Sequence, residues 1–272
     1  MRYVRPFDDA QAFDTGFPGY RAQFVSKLES ALLIHSVIQE NGCGPGLHYH
    51  HSDQMYFLVT GHMNLQLGEE QHEVEPGSLV FIPAGLPHRN WNDGPGAENH
   101  FEMIIPMPPP GAALAHMVNS IDEVPDDRRP TQDGYVRQVT QTGLVEVMPG
   151  FRMHMLADPG SGSLYAVVNY AEMAAGSGGL EMHIHEFDQY YLVLEGELTV
   201  EVALQTHVVG PNTLVVLPAG VPHRQFNSGS GIERHLVVIA PAPLPGVAWD
   251  QGVDFVANGV VHTGPNVLAP AT

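Results

Sequence analysis

A constant offset of 135 residues relates one half of this chain to the other. His48-Tyr49-His50 recurs as His183-Ile184-His185, Asp53-Gln54 as Asp188-Gln189, and Gly61 as Gly196. Pro83-Ala84-Gly85 recurs as Pro218-Ala219-Gly220, and Pro87-His88-Arg89 as Pro222-His223-Arg224. Asn92, Glu98 and His100 find their counterparts in Asn227, Glu233 and His235. No insertion or deletion interrupts the series, so the chain holds two homologous domains. A length of 272 residues allows each to bury its own core.

Within each repeat the polarity pattern has period two. Gln54 to Val59 reads as a strand, Gly61 turns it, and His62 to Leu67 returns as its hairpin partner. Ser78 to Ile82 and His100 to Ile105 are further strands. The second half repeats them at Tyr190 to Leu194, Glu197 to Val202, Thr213 to Leu217 and His235 to Ile239. The 29 glycines and 23 prolines fall at turn positions between these short runs, which predicts an all-β sandwich or barrel for each half. One short helix is expected near Gly111 to Val118. The segment Pro106 to Gly111 reads PMPPPG, and proline favours extended linkers. The expected layout is therefore a first domain at 1–108, a linker at 109–134, a second domain at 135–245, and a tail at 246–272 that packs back on a barrel.

Bulk charge narrows the function. Thirty acidic against 11 basic residues give a net charge of −19, which repels nucleic acid and anionic membrane surfaces. A single cysteine, Cys43, leaves no intrachain disulfide. Met1 to Ala10 lacks an apolar run, and no stretch approaches the ~20 apolar residues of a membrane span. A cytoplasmic protein acting on a small molecule is the expectation.

The 16 histidines point to metal or acid–base chemistry. On a strand, residues i and i+2 share a face, so His48 and His50 point one way, as do His183 and His185. Gln54 and Gln189 share the next strand's inward face with Tyr56 and Tyr191. His88 and His223 follow the Pro-Ala-Gly turns. Three imidazoles and one carboxamide oxygen per half form a set that suits a divalent transition metal, two per chain. Tyr56 and Tyr191 are expected to line the pockets, and His100 and His235 are acid–base candidates. Arg89 and Arg224 are expected in ion pairs with Glu98 and Glu233, and most of the remaining histidines at the surface.

These residues resemble the cupin motifs. Gly42, His48, His50 and Gly61 fit the first motif, with Gln54 where the family has glutamate, and Gly77, Pro83, Gly85, His88 and Asn92 fit the second. In the second half His183, His185, Gln189 and Gly196, then Pro218, Gly220, His223 and Asn227, repeat the fit, although Ser177 and Asn212 replace the leading glycines. The resemblance implies two tandem double-stranded β-helix (jelly-roll) barrels and a homodimer. It also implies a metal-dependent enzyme: a dioxygenase similar to quercetinases and gentisate- or β-diketone-cleaving enzymes, or a non-redox isomerase or lyase similar to the bicupin of bacilysin biosynthesis. A non-catalytic binding barrel is the third class. Iron(II) is the first choice of metal, with nickel, manganese, cobalt, copper and zinc open. Glutamine cannot take a proton, so chemistry that needs a glutamate base at that position, such as oxalate decarboxylation, is disfavoured. A bound metal would be the stronger Lewis acid for it.

Overall fold

The computed structural model describes residues 2–257 and 260–262 and divides into two compact units. One contains residues 7–139 with 159–165. The other contains 1–6, 140–158 and the chain from 166 onward.

In the first unit a seven-stranded antiparallel sheet runs in the order Tyr135–Gln138, Ser78–Ile82, Asp53–Thr60, Glu98–Ile105, Ala31–Ile38, Tyr20–Leu28, Phe13–Asp14. A smaller sheet runs His116–Met117, His48–Tyr49, His88–Asn92, Met63–Leu67, Glu70–Val74. Tyr56, Leu58, Met63, Leu65, Val80 and Ile82 form a buried cluster contributed by both sheets. Period two makes this work, because alternate residues of each strand reach the interior while the backbone pairs sideways.

The second unit repeats the plan. Its larger sheet runs Val4–Pro6, Thr213–Leu217, Asp188–Glu195, Glu233–Ala240, Val167–Met173, Phe151–Ala157, Val145–Met148. Its smaller sheet runs Gln205–Val209, Leu198–Val202, His223–Phe226, His183–Ile184, Gln251–Gly252. Tyr191, Val200, Val215, Leu217, Val237 and Ile239 are core members here.

Three expectations are corrected. The strand Tyr135–Gln138 pairs with Ser78–Phe81, so the residues expected to open the second barrel close the sheet edge of the first. Val4–Pro6 pairs with Thr213–Val215 and does the same for the second barrel, although it precedes the first in sequence. An exposed edge needs a partner, and the chain supplies one from outside each repeat. No helix forms at Gly111 to Val118. That segment turns at Pro109 to Ala112 and then forms the strand His116–Met117 against His48 and Tyr49. The tail does return to a barrel, since Gln251–Gly252 pairs with His183–Ile184. Phe255–Ala257 and Val260–His262 pair as a separate hairpin, and the rest of the expected tail lies outside the described residues. No helix among the described residues is long and apolar enough to cross a membrane.

Two motif positions have purely architectural work. Gly61 (φ 85°) and Gly196 (φ 76°) turn the hairpins in the left-handed region, and a Cβ on Gly61 would stand 2.5 Å from the Glu98 Cα. Asn92 is buried and holds a loop: its Nδ2 donates to Ile38 O (3.0 Å) and Gly96 O (2.8 Å), and its Oδ1 accepts from Gly94 N (3.1 Å). Asn227 repeats all three bonds with Met173, Gly231 and Gly229. Asn92→Ala strands the buried Ile38 carbonyl and removes two partly buried bonds, to Gly96 O and Gly94 N, and should cost about 1–3 kcal/mol in urea unfolding while leaving metal uptake at full stoichiometry. Loss of metal with unchanged stability would show that the side chain serves the site instead.

Candidate metal centres

Each barrel gathers its three histidines. The ligating atoms of His48, His50 and His88 all lie within 4.8 Å of one another, as do those of His183, His185 and His223. Strand pairing places them: His88 is the register partner of His48, and His223 of His183. His50 and His185 are fixed from the adjoining turn, where their carbonyls accept from Gly85 N and Gly220 N at 2.8 Å.

The imidazoles are oriented as well as gathered. His48 Nδ1–H donates to Gly46 O (2.8 Å), His50 to Leu114 O (2.5 Å) and His88 to Leu86 O (2.9 Å). In the second barrel His183 donates to Glu181 O (2.8 Å), His185 to Phe187 O (2.6 Å) and His223 to Val221 O (2.9 Å). A carbonyl only accepts, so each neutral ring carries its proton on Nδ1 and turns the Nε2 lone pair inward. Burial lowers the pKa of all six; it brings His50 down to about 3, and takes His88 and His223 well below the usual histidine value. The nitrogens are therefore neutral bases. Nε2 of His50 and of His88 are buried with no hydrogen-bond partner.

A glutamine oxygen stands beside the cluster in the second barrel. Gln189 Oε1 stands 3.1 Å from His185 Nε2 and 3.1 Å from His223 Nε2. Neither partner has a proton to share, so these are acceptors converging on one point. Donors about 2.1 Å from a common ion at right angles stand about 3.0 Å apart, and the observed spacing fits. In the first barrel Gln54 Nε2 donates to Glu102 Oε1 (2.6 Å), which fixes its amide so that Oε1 remains the acceptor. Tyr56 and Tyr191 line the two cavities, and their hydroxyls donate to Gln54 Oε1 (3.1 Å) and Gln189 Oε1 (2.8 Å). Burial keeps both phenols protonated, well above their ordinary pKa. Oriented, unprotonated Nε2 atoms beside a carboxamide oxygen fit a divalent metal in both halves.

His100 and His235 lie elsewhere. Both are fully buried, do not line the cavities, and pack edge-on behind Tyr56 and Tyr191 at 4.9 and 5.0 Å between ring centres. Nδ1 of each donates to a buried carboxylate, His100 to Glu98 (2.9 Å) and His235 to Glu233 (2.9 Å). The acid–base assignment therefore lacks the contact it requires, and the expected arginine pairs with these glutamates are absent. Arg89 instead donates to Gln66 (2.8 Å), and Arg224 pairs with Glu201 and Glu181. His35, one of the remaining histidines, is buried and stacked on Phe7.

The two cavities reach the histidine clusters, at about 190 Å³ in the first barrel and about 380 Å³ in the second. Phe13, Phe17, Phe24 and Ile34 wall the first, and Phe151, Phe187, Val237 and Trp249 the second. Among the described residues no lysine or arginine lines either. Each contains one carboxylate that sequence reasoning missed: Glu102, which also accepts from Tyr20 OH (3.2 Å), and Asp250. The repeat carries a signal for both. Glu102 corresponds to Val237 and Asp250 to Ala115, so the carboxylates sit where the duplication is broken.

The cupin domain model matches residues 34–104 and again 169–239. The chain belongs to the cupin family and carries its domain twice. Its architecture is similar to that of a putative glyoxylate-induced protein from Pseudomonas aeruginosa (TM-score 0.70, 17% identity, 90% of this chain and 91% of that one). It is also similar to oxalate decarboxylase from Bacillus subtilis (TM-score 0.64, 14% identity, 89% and 78%) and to the protein Ylba from E. coli (TM-score 0.65, 10% identity, 86% and 88%). At these identities the likeness is one of fold. An uncharacterized protein of Streptomyces coelicolor is 27% identical over 82 residues, 30% of this chain and 76% of its own length.

Two outcomes follow. His88→Ala and His223→Ala should each remove about one of two metals per chain by elemental analysis; unchanged occupancy would mean the altered cluster holds none. Chelator-treated protein should also weaken with acid. Between about pH 3 and 6.5 the unfolded chain holds a proton at His50 that the folded chain does not, so stability rises with pH across that window. The slope is at most about 1.4 kcal/mol per pH unit for each such histidine. Urea midpoints should fall from pH 7.5 to 5.0, and a flat profile would contradict neutral buried imidazoles.

Proposed function

We propose that this bicupin is a metal-dependent enzyme acting on a small apolar substrate with an enolisable carbonyl or a phenolic hydroxyl, and that its reaction is of dioxygenase type. The observation that carries the reading is the combination of three inward Nε2 lone pairs with an aromatic-walled cavity that lacks any cationic side chain. A ligand pocket of this kind holds its substrate by apolar contact and orients it with few polar groups. Iron(II) remains the first choice of metal, with manganese, nickel, cobalt, copper and zinc as alternatives.

Held by His48, His50, Gln54 and His88, a divalent metal would supply Lewis acidity and, if redox-active, a route for electrons to dioxygen. The chain's own residues do the rest. Phe13, Phe17 and Phe24, themselves partly open to solvent, provide flat apolar walls for a ring. Tyr56 holds the Gln54 oxygen in place. Glu102 is the one carboxylate lining this cavity, and its Oε2 accepts from the Tyr20 hydroxyl, so a proton leaving an enol or phenol has an acceptor through Tyr20. Oxalate, the substrate named for one structural neighbour, suits this cavity poorly. A small dianion would face phenyl rings and Glu102, and apart from the proposed metal no cationic side chain would neutralise its second charge.

The same Tyr20–Glu102 pair would also serve a non-redox isomerase or lyase, which is the second reading. Anaerobically purified protein, loaded with each metal in turn, should consume dioxygen with a member of a panel of catechols, flavonols and β-diketones. Turnover without oxygen uptake would replace the dioxygenase with the isomerase, and tight binding without turnover would leave a small-molecule-binding cupin.

A further inference from the structure

The two clusters are equivalent in their histidines and glutamines but not in their carboxylates. In the first barrel Glu102 faces the Gln54 amide and is engaged by it. In the second barrel Asp250 faces a histidine: its Oδ1 lies 3.6 Å from His183 Nε2. His183 carries its proton on Nδ1, which is donated to Glu181 O, so Nε2 presents a lone pair to the carboxylate. Two electron-pair donors at that distance share no hydrogen bond. A divalent cation would satisfy both atoms together with Gln189 Oε1 and the two further Nε2 atoms of the same pocket.

Asp250 is also held in place rather than carried on a loose tail. Gly252 pairs with His183 and Gln251 with Ile184, while Val253 N donates to Met182 O (3.1 Å). On its other side Trp249 packs edge-on against Phe187. The first barrel builds the same strand, since Met117 pairs with His48 and His116 with Tyr49. There the position equivalent to Asp250 is Ala115, which also lines its cavity and offers no donor.

We infer that Asp250 is a fifth protein donor to the second barrel's metal, making that site tighter and more nearly closed while the first barrel's site keeps more open positions for substrate. The inference rests on the metal reading given above. Three histidines and a glutamine contribute no charge, so a carboxylate among them strengthens the hold on a divalent cation. Closed coordination is the mark of structural sites, and open positions are the mark of catalytic ones. The division of labour would put turnover in the barrel of Phe13, Tyr20 and Glu102.

The test uses full-length protein with one site at a time. In a His88→Ala background only the second site remains, and cobalt(II) binding is followed by chelator competition and by the visible d–d spectrum. Asp250→Asn, which keeps the side chain's shape, should raise the dissociation constant at least ~10-fold and change the spectrum. In a His223→Ala background the same Asp250→Asn should leave the first site's affinity unchanged, which also reports that the protein is folded. Unchanged affinity and spectrum in the His88→Ala background, with one cobalt still bound, would overturn the role of Asp250 and leave the metal reading standing. Tighter binding would overturn it too, because Asp250 would then be an ion-pair partner that competes for a protonated His183. His88→Ala protein that takes up no cobalt would contradict the metal reading in the second barrel, and this inference with it.

Discussion

Six hydrogen bonds from imidazole Nδ1–H to backbone carbonyls are the constraint on which the sites depend. A histidine side chain has two nitrogens and two rotatable bonds, so proximity alone does not make a donor. Each carbonyl here selects one tautomer, fixes one ring orientation and leaves the Nε2 lone pair facing its cluster. Four of the six carbonyls belong to the residue two positions earlier, at Gly46, Leu86, Glu181 and Val221. The backbone that delivers the histidine thus also aims it. Burial then keeps the rings neutral, and the barrel, with its paired strands, supplies a frame stiff enough to hold them.

Most of this was legible in the sequence because two signals coincide. Period-two alternation located the strands nearest the site to within two residues but passed over Tyr20–Leu28, Ala31–Ile38, Phe151–Ala157 and Val167–Met173, and the offset of 135 tied the histidines and glutamines of one half to those of the other. The parts that were not legible have physical reasons. The edge strands Val4–Pro6 and Tyr135–Gln138 pair across large sequence separations, and nothing in their local composition says which sheet they complete. The His50 partner is a main-chain carbonyl, Leu114 O, and a carbonyl has no letter of its own. It comes from a segment that sequence reasoning assigned to a helix. His100 and His235 were placed on the correct strands, but alternation gives a face and not a depth. The Tyr56 and Tyr191 rings stand between them and the pocket.

Duplication explains the common frame, and the breaks in it explain the differences. Asn92 and Asn227 make the same three bonds, and the buried Glu98–His100 and Glu233–His235 couples repeat almost to the ångström. Against that background the exchanges of Glu102 for Val237 and of Ala115 for Asp250 change each pocket's only carboxylate. One lies beside a glutamine and a tyrosine, and the other lies beside a histidine of the cluster. The same barrel therefore offers two different electrostatic settings to two similar sets of imidazoles.

The central claim is that carbonyl-locked imidazoles in both barrels make two metal sites. Anomalous X-ray diffraction at the metal's absorption edge, on crystals of metal-replete protein, tests it most directly. Two peaks per chain should appear, each about 2.0–2.3 Å from the Nε2 atoms of its three histidines. Peaks absent from these clusters, or bonded to Nδ1 with the carbonyl contacts broken, would contradict it.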